Sequence, residues 1–126
     1  MGTVRVLIVD DSSVMRKIIE RALRQAGIEQ LEVQEAATGS EALTILGAAK
    51  VDLILSDINM PAMDGLELLR QLQARKLASG VPVVMVTTES SEQHVVQAIA
   101  AGARGFLRKP FTVDEVKQRV LPLLPA

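Results

Sequence analysis

Short apolar runs alternate with longer stretches of helical period five times along the chain. The runs fall at about 4–10, 32–36, 52–57, 82–87 and 105–108. Two of them, Leu53-Ile54-Leu55 and Val83-Val84-Met85-Val86, are continuously apolar, as strands covered on both faces are. Between the runs, apolar residues recur at three- and four-residue spacing and predict helices over 13–26, 39–48, 65–76, 91–101 and 113–121. Most helix starts carry a hydroxyl or carboxylate followed three residues later by Glu or Gln, which is reciprocal capping chemistry. The pairs are Thr38 with Glu41, Asp64 with Glu67, Ser90 with Gln93 and Thr112 with Glu115. The first helix carries Val14, Ile18, Ala22 and Ala26 on one face, with Met15, Ile19 and Leu23 alongside, and Gly27 stops it. Gly65 and Gly102 read as turn and helix-end residues, and Pro122 prevents a regular continuation of the fifth helix. Strands alternating with helices predict an α/β fold, a doubly wound parallel sheet with helices on both faces. A five-stranded sheet of this class takes the order 2-1-3-4-5, with its crevice at the carboxyl ends of strands one and three.

Composition narrows the setting. A chain of 126 residues supports one core, so residues 1–126 are expected to form a single domain. With 48% hydrophobic and 23% charged residues the chain has the make-up of a globular protein. The net charge of -1, without any basic run, gives no reason to expect nucleic acid as a partner. There is no cysteine, which excludes disulfides and thiolate metal sites. The first apolar stretch is broken by Arg5 and runs into two aspartates, so it suits neither a signal peptide nor a membrane span. A cytoplasmic protein with no membrane association is expected.

The chemistry sits at the strand ends. Asp10 and Asp11 follow the run Val6-Leu7-Ile8-Val9, and Asp57 follows Leu53-Ile54-Leu55 by two positions. If these strands are neighbours, three carboxylates meet at one edge of the sheet, where their repulsion calls for a hard cation and suits phosphoryl chemistry. Taken singly, the residues have plainer explanations. An acidic pair before a helix can serve only as a cap and dipole partner, Lys109 beside Pro110 as a solvated turn residue, and Thr87 as a strand end satisfied by backbone. His94 reads as a surface residue, and Pro122-Leu123-Leu124-Pro125 as a packed or frayed tail.

Together these segments resemble a response-regulator receiver domain over nearly the whole chain. The motifs are Leu7-Ile8-Val9-Asp10-Asp11-Ser12-Ser13, Ser56-Asp57-Ile58-Asn59-Met60-Pro61-Ala62-Met63-Asp64-Gly65, Val86-Thr87 and Lys109-Pro110-Phe111. The resemblance implies a flavodoxin-like sheet in which Asp57 accepts a phosphoryl group from a sensor histidine kinase. It implies Mg2+ held directly by Asp11 and Asp57, through water by Asp10, and by the backbone carbonyl of Asn59. Thr87 and Lys109 then bind phosphoryl oxygens, Thr87 and Phe106 form a switch, and the Lys109-Pro110 peptide is cis. Chemotaxis members of the family are the most similar. They imply a monomer whose downstream protein partner docks on the face of helix four, strand five and helix five, with no turnover of an external substrate. A relay intermediate of another pathway, or a receiver module cut from a longer protein, would carry the same motifs. Phe106 stands where a Tyr is frequent, Thr88 where Ala or Gly is frequent, and Ile58 where some chemotaxis members have Trp. These departures bear on rates rather than on the type of reaction. A phosphatase of the haloacid-dehalogenase kind needs a carboxylate two residues after its nucleophile, where this chain has Asn59. A flavodoxin-like FMN module wants a Ser/Thr/Gly cradle after the first strand in place of two acids.

Overall fold

The computed structural model describes residues 2–88 and 92–125, so the cap expected at Ser90 lies outside the described residues. The strands are β1 (Val4–Val9), β2 (Leu31–Ala36), β3 (Leu53–Asp57), β4 (Val83–Thr87) and β5 (Gly105–Arg108). They pair in parallel in the order β2-β1-β3-β4-β5, as expected from the class. The helices are α1 (Ser13–Gln25), α2 (Gly39–Ala48), α3 (Gly65–Ala74), α4 (Glu92–Ala100) and α5 (Val113–Arg119), followed by a 3-10 turn at Leu121–Leu123.

Alternate strand residues face opposite layers. Leu7, Val9, Ile54 and Met85 pack against Ala42, Leu46, Leu68 and Leu72 of α2 and α3 and against Ala98 of α4. Val6, Ile8, Leu55 and Val86 pack against Ile19 and Leu23 of α1 and Val116 of α5. Because both faces are covered, β3 and β4 are buried at every position. That double cover explains why these two runs carry no polar alternation.

The side chains of Thr38, Asp64 and Thr112 each accept from the amide three residues on, but the expected return bond from the glutamate to the cap amide forms only between Glu115 and Thr112, Glu41 reaching the Ala37 amide and Glu67 accepting from Gln71 instead. Gly27, at φ 108°, ends α1: its amide donates to Arg24 O and that of Ile28 to Leu23 O, so the left-handed residue closes the helix. Four further expectations need correction. Helix α3 ends at Ala74 and not 76, because Lys76 takes the left-handed position at φ 54° that glycine usually fills. Helix α5 stops at Arg119 and the chain tightens into the 3-10 turn, whose Leu121 and Leu123 lie against the core. On α1, Val14 and Ile18 are 68% and 47% exposed. An i, i+4 row advances about 40° around a helix per step. The row through Ala22 and Ala26 therefore faces the core, and its earlier members have turned outward. His94 is half-buried and not fully at the surface.

Candidate functional site

The parallel register assembles the site. Val9 lies opposite Ser56, Asp57 opposite Val86, and Thr87 opposite Arg108. The residues at or just past these strand ends therefore share one edge of the sheet, and the Lys109 amide extends the ladder by donating to Thr87 O at 2.7 Å. Carboxylate oxygens of Asp10, Asp11 and Asp57 all lie within 4.8 Å of one another. Asp10, Asp57 and Thr87 are buried, whereas Asp11 is exposed.

The N-cap of α1 is Ser12, whose Oγ accepts from the Met15 amide at 3.2 Å. This leaves the capping explanation of the acidic pair without support. Asp10 turns inward, its Oδ1 accepting from the Ser12 amide at 2.9 Å and its Oδ2 from Lys109 Nζ at 3.0 Å. Lys109 Nζ is also 3.6 Å from Asp57 Oδ2, and only 12% of its side-chain surface is exposed. It is a bridge between two buried acids and not a solvated turn residue. Its peptide bond to Pro110 is cis. The Asn59 amide donates to Asp57 Oδ1 at 3.2 Å.

Burial pushes the Asp57 carboxyl above its ordinary range. The Lys109 ammonium opposes the shift, the Asp10 charge adds to it, and the Asn59 amide and the Lys109 hydrogen bond oppose it. Among the described residues the edge thus holds three carboxylates against a single ammonium, which compensates them incompletely. All three acids offer oxygen donors, the set preferred by a hard divalent cation. The 4.8 Å limit on their separation is comparable to the roughly 4.2 Å across a Mg2+ shell, twice a bond of about 2.1 Å.

The loop after β3 carries a contact that the sequence did not disclose. Gly65 opens α3 with its amide donating to Ile58 O at 2.8 Å. A Cβ there would collide with Asp57 O and the Met85 side chain and stand 2.9 Å from Ile58 Cα. The missing side chain is what lets α3 start against the backbone of the central acid. Two further residues, Arg16 and Arg119, escaped the pattern. Arg16 donates from Nη1 to Asp10 O at 2.6 Å and from Nε to Glu35 Oε1 at 2.9 Å. Phe106, half-buried on β5, has the Arg119 guanidinium 5.3 Å from its ring centre. Thr88 is exposed.

The response regulator receiver domain family matches residues 6–121. The chain is 39% identical over 116 residues to the chemotaxis protein CheY of Pseudomonas aeruginosa, covering 92% of each chain. Among solved structures it is similar to the Vibrio cholerae chemotaxis protein CheY4, with a TM-score of 0.86 and 36% identity over 98% of this chain and 100% of that one. It is also similar to the receiver domain of the putative response regulator NarL from Mycobacterium tuberculosis, with a TM-score of 0.84 and 32% identity over 97% and 96% of the two chains. Among the described residues, no helix is long and apolar enough to cross a membrane.

Proposed function

The chain belongs to the response-regulator receiver family, and from that premise we propose that Asp57 is its phosphoryl acceptor and that Mg2+ binds at the acidic edge. The observation that carries this reading is the convergence of Asp10, Asp11 and Asp57 with Lys109 at one edge of the sheet. Asp11 and Asp57 would hold the ion directly, Asp10 through water, and the Asn59 carbonyl would complete the protein ligands. The ion's contribution is charge: it screens an anionic nucleophile from an anionic phosphoryl group. In the transfer, an Asp57 carboxylate oxygen bonds to phosphorus as the P–N bond of a kinase phosphohistidine breaks, and the imidazole leaves with the electron pair. Lys109 and the Thr87 hydroxyl supply positive character to the phosphoryl oxygens. With Asn59 in place of a second carboxylate acid, the site lacks the group that would let it turn over an external phosphoester. Autodephosphorylation by water is compatible with the same residues.

The relatives named as chemotaxis proteins support a role in chemotaxis signalling; the protein would act as a cytoplasmic monomer that takes its phosphoryl group from a sensor histidine kinase. Output would pass through the face of α4, β5 and α5 to a protein target. Thr87 is fully buried beside the acids, and Phe106 lies on the neighbouring strand. Movement of Thr87 toward the phosphoryl group would open space into which the Phe106 ring turns, at the expense of its contact with Arg119. Coupling of about 1–3 kcal/mol is the usual range for two linked sites. With beryllofluoride and Mg2+ standing in for the phosphoryl group, amide shifts are expected to change from the acidic edge through Thr87 and Phe106 into α4 and α5. Changes confined to the surroundings of Asp10, Asp57 and Lys109 would leave a phosphate carrier with no conformational output.

The metal assignment has its own test. Calorimetric titration of Asp11→Ala is expected to show Mg2+ affinity reduced by at least about 100-fold, the upper end of what even outer-sphere changes cost. An affinity equal to that of the unmodified protein would remove Asp11 from the ligand set.

A further inference from the structure

We propose that Arg16, braced by Glu35, is a positioning residue that fixes the Asp10-Asp11 peptide and thereby sets the cation affinity of the acidic edge. The inference rests on the reading of that edge as a Mg2+ site. Nearly every polar group of Asp10 is held: its amide donates to Ala36 O at 3.0 Å, Oδ1 accepts from Ser12 and Oδ2 from Lys109. The remaining group is the main-chain carbonyl, which lies beyond the β1 ladder and before the first helical bond. Arg16 Nη1 takes it at 2.6 Å. That carbonyl defines the plane of the peptide joining the two acids, so its direction decides where Asp11 leaves the chain. Asp11 is exposed and has no hydrogen bond or ion pair of its own among the described residues. Its aim therefore depends on the backbone behind it.

Arg16 is itself held in place. Nε donates to Glu35 Oε1 at 2.9 Å, and Lys17 Nζ donates to Glu35 Oε2 at 3.0 Å. Hydrogen bonds from Lys17 first and then Arg16 keep the Glu35 carboxyl below its ordinary range, so it stays an anion at neutral pH. The Arg16 and Glu35 side chains are only 16% and 29% exposed. A planar guanidinium spanning a carboxylate on β2 and a carbonyl after β1 is an arrangement that lysine, with a single ammonium, cannot reproduce in full.

The sign of the effect separates positioning from simple electrostatics. Arg16 is a cation near a proposed cation site, so deleting its charge should, through Coulomb repulsion alone, tighten Mg2+ binding. Positioning predicts the opposite. Mg2+ titration of the unmodified protein, Arg16→Gln, Arg16→Lys, Glu35→Gln and Lys17→Gln would be followed calorimetrically, with the Asp10 carbonyl carbon shift as a second readout. Arg16→Gln is expected to bind about 10-fold more weakly, in the range for residues that orient a metal ligand from outside its shell. Arg16→Lys and Glu35→Gln should fall between it and the unmodified protein. Lys17→Gln removes the same charge and a contact to the same glutamate without touching Asp10, and should bind as well as the unmodified protein or slightly better. The Asp10 carbonyl carbon should move in the Arg16 and Glu35 variants and stay in place in Lys17→Gln. Should Arg16→Gln fail to fold, Arg16→Lys and Glu35→Gln carry the comparison. Arg16 variants that bind Mg2+ as tightly as Lys17→Gln would overturn the proposal while leaving the metal site intact. Absence of binding by the unmodified protein would instead overturn the metal site itself, and this inference with it.

Discussion

Asp57→Asn is expected to accept no phosphoryl group and, at neutral pH without divalent cations, to be more stable than the unmodified protein, because the amide carries no buried charge beside Asp10 while Lys109 keeps Asp10 as its partner. Both effects come from the same placement. The carboxyl ends β3, is 8% exposed, and lies beside Asp10 with one shared ammonium between them. Burial raises its pKa above the ordinary carboxylate value of 3.8, so the folded protein binds its proton more tightly than the unfolded chain does. Stability must then fall as pH rises from the unfolded value through the folded one, and stay low above it. The amide does not titrate and removes this fall. The gap between the two proteins should therefore be smallest near pH 4 and widest near pH 7, as read from urea midpoints at the two values. Mg2+ should narrow it by stabilising only the protein that keeps the carboxylate. A variant less stable than the unmodified protein at neutral pH would contradict the crowding argument.

Lys109→Ala removes the compensation and should shift stability the other way. Asp10 is 1% exposed, and among the described residues its only ion-pair partner is Lys109. Breaking a buried pair from one side costs about 3–5 kcal/mol because the remaining charge keeps its desolvation penalty. The lower figure is the better expectation here, since Lys109 keeps some contact with water. Lowering the pH should recover part of the loss, because without the ammonium the Asp57 carboxyl, already pushed up by burial, is easier still to protonate. Mg2+ should recover part as well. Phosphoryl acceptance should survive better than signalling, since nucleophile and metal ligands remain while the group proposed to bind a phosphoryl oxygen is gone. A variant that labels and signals normally would remove Lys109 from that role.

These opposite signs come from residues legible in the sequence, because acids and a lysine stand directly at the ends of runs whose apolar character marks them as buried strands. The strand order was legible only through the fold class: periodicity places β1 and β3 in a sheet but does not make them neighbours. The side-chain caps at Thr38, Asp64 and Thr112 gave helix starts to the residue, since capping is local. The end of α3 was hidden because Lys76 accepts a left-handed conformation with no glycine to mark it. Arg16 and Glu35 were hidden for a different reason. The acceptor of one guanidinium nitrogen is a main-chain carbonyl and that of the other lies 19 residues away on β2, so no spacing rule joins them. Gly65 was visible as a glycine, but its purpose depends on how closely α3 approaches the Asp57 backbone.

The most direct test of the central claim is intact-mass analysis of the protein after exposure to acetyl phosphate or phosphoramidate, with Mg2+ present and with it chelated, followed by localisation of the modified residue. The account predicts a single added phosphoryl group, formed only with Mg2+ and carried by Asp57. Equal labelling without the metal, or a group lodged stoichiometrically on another residue, would contradict it.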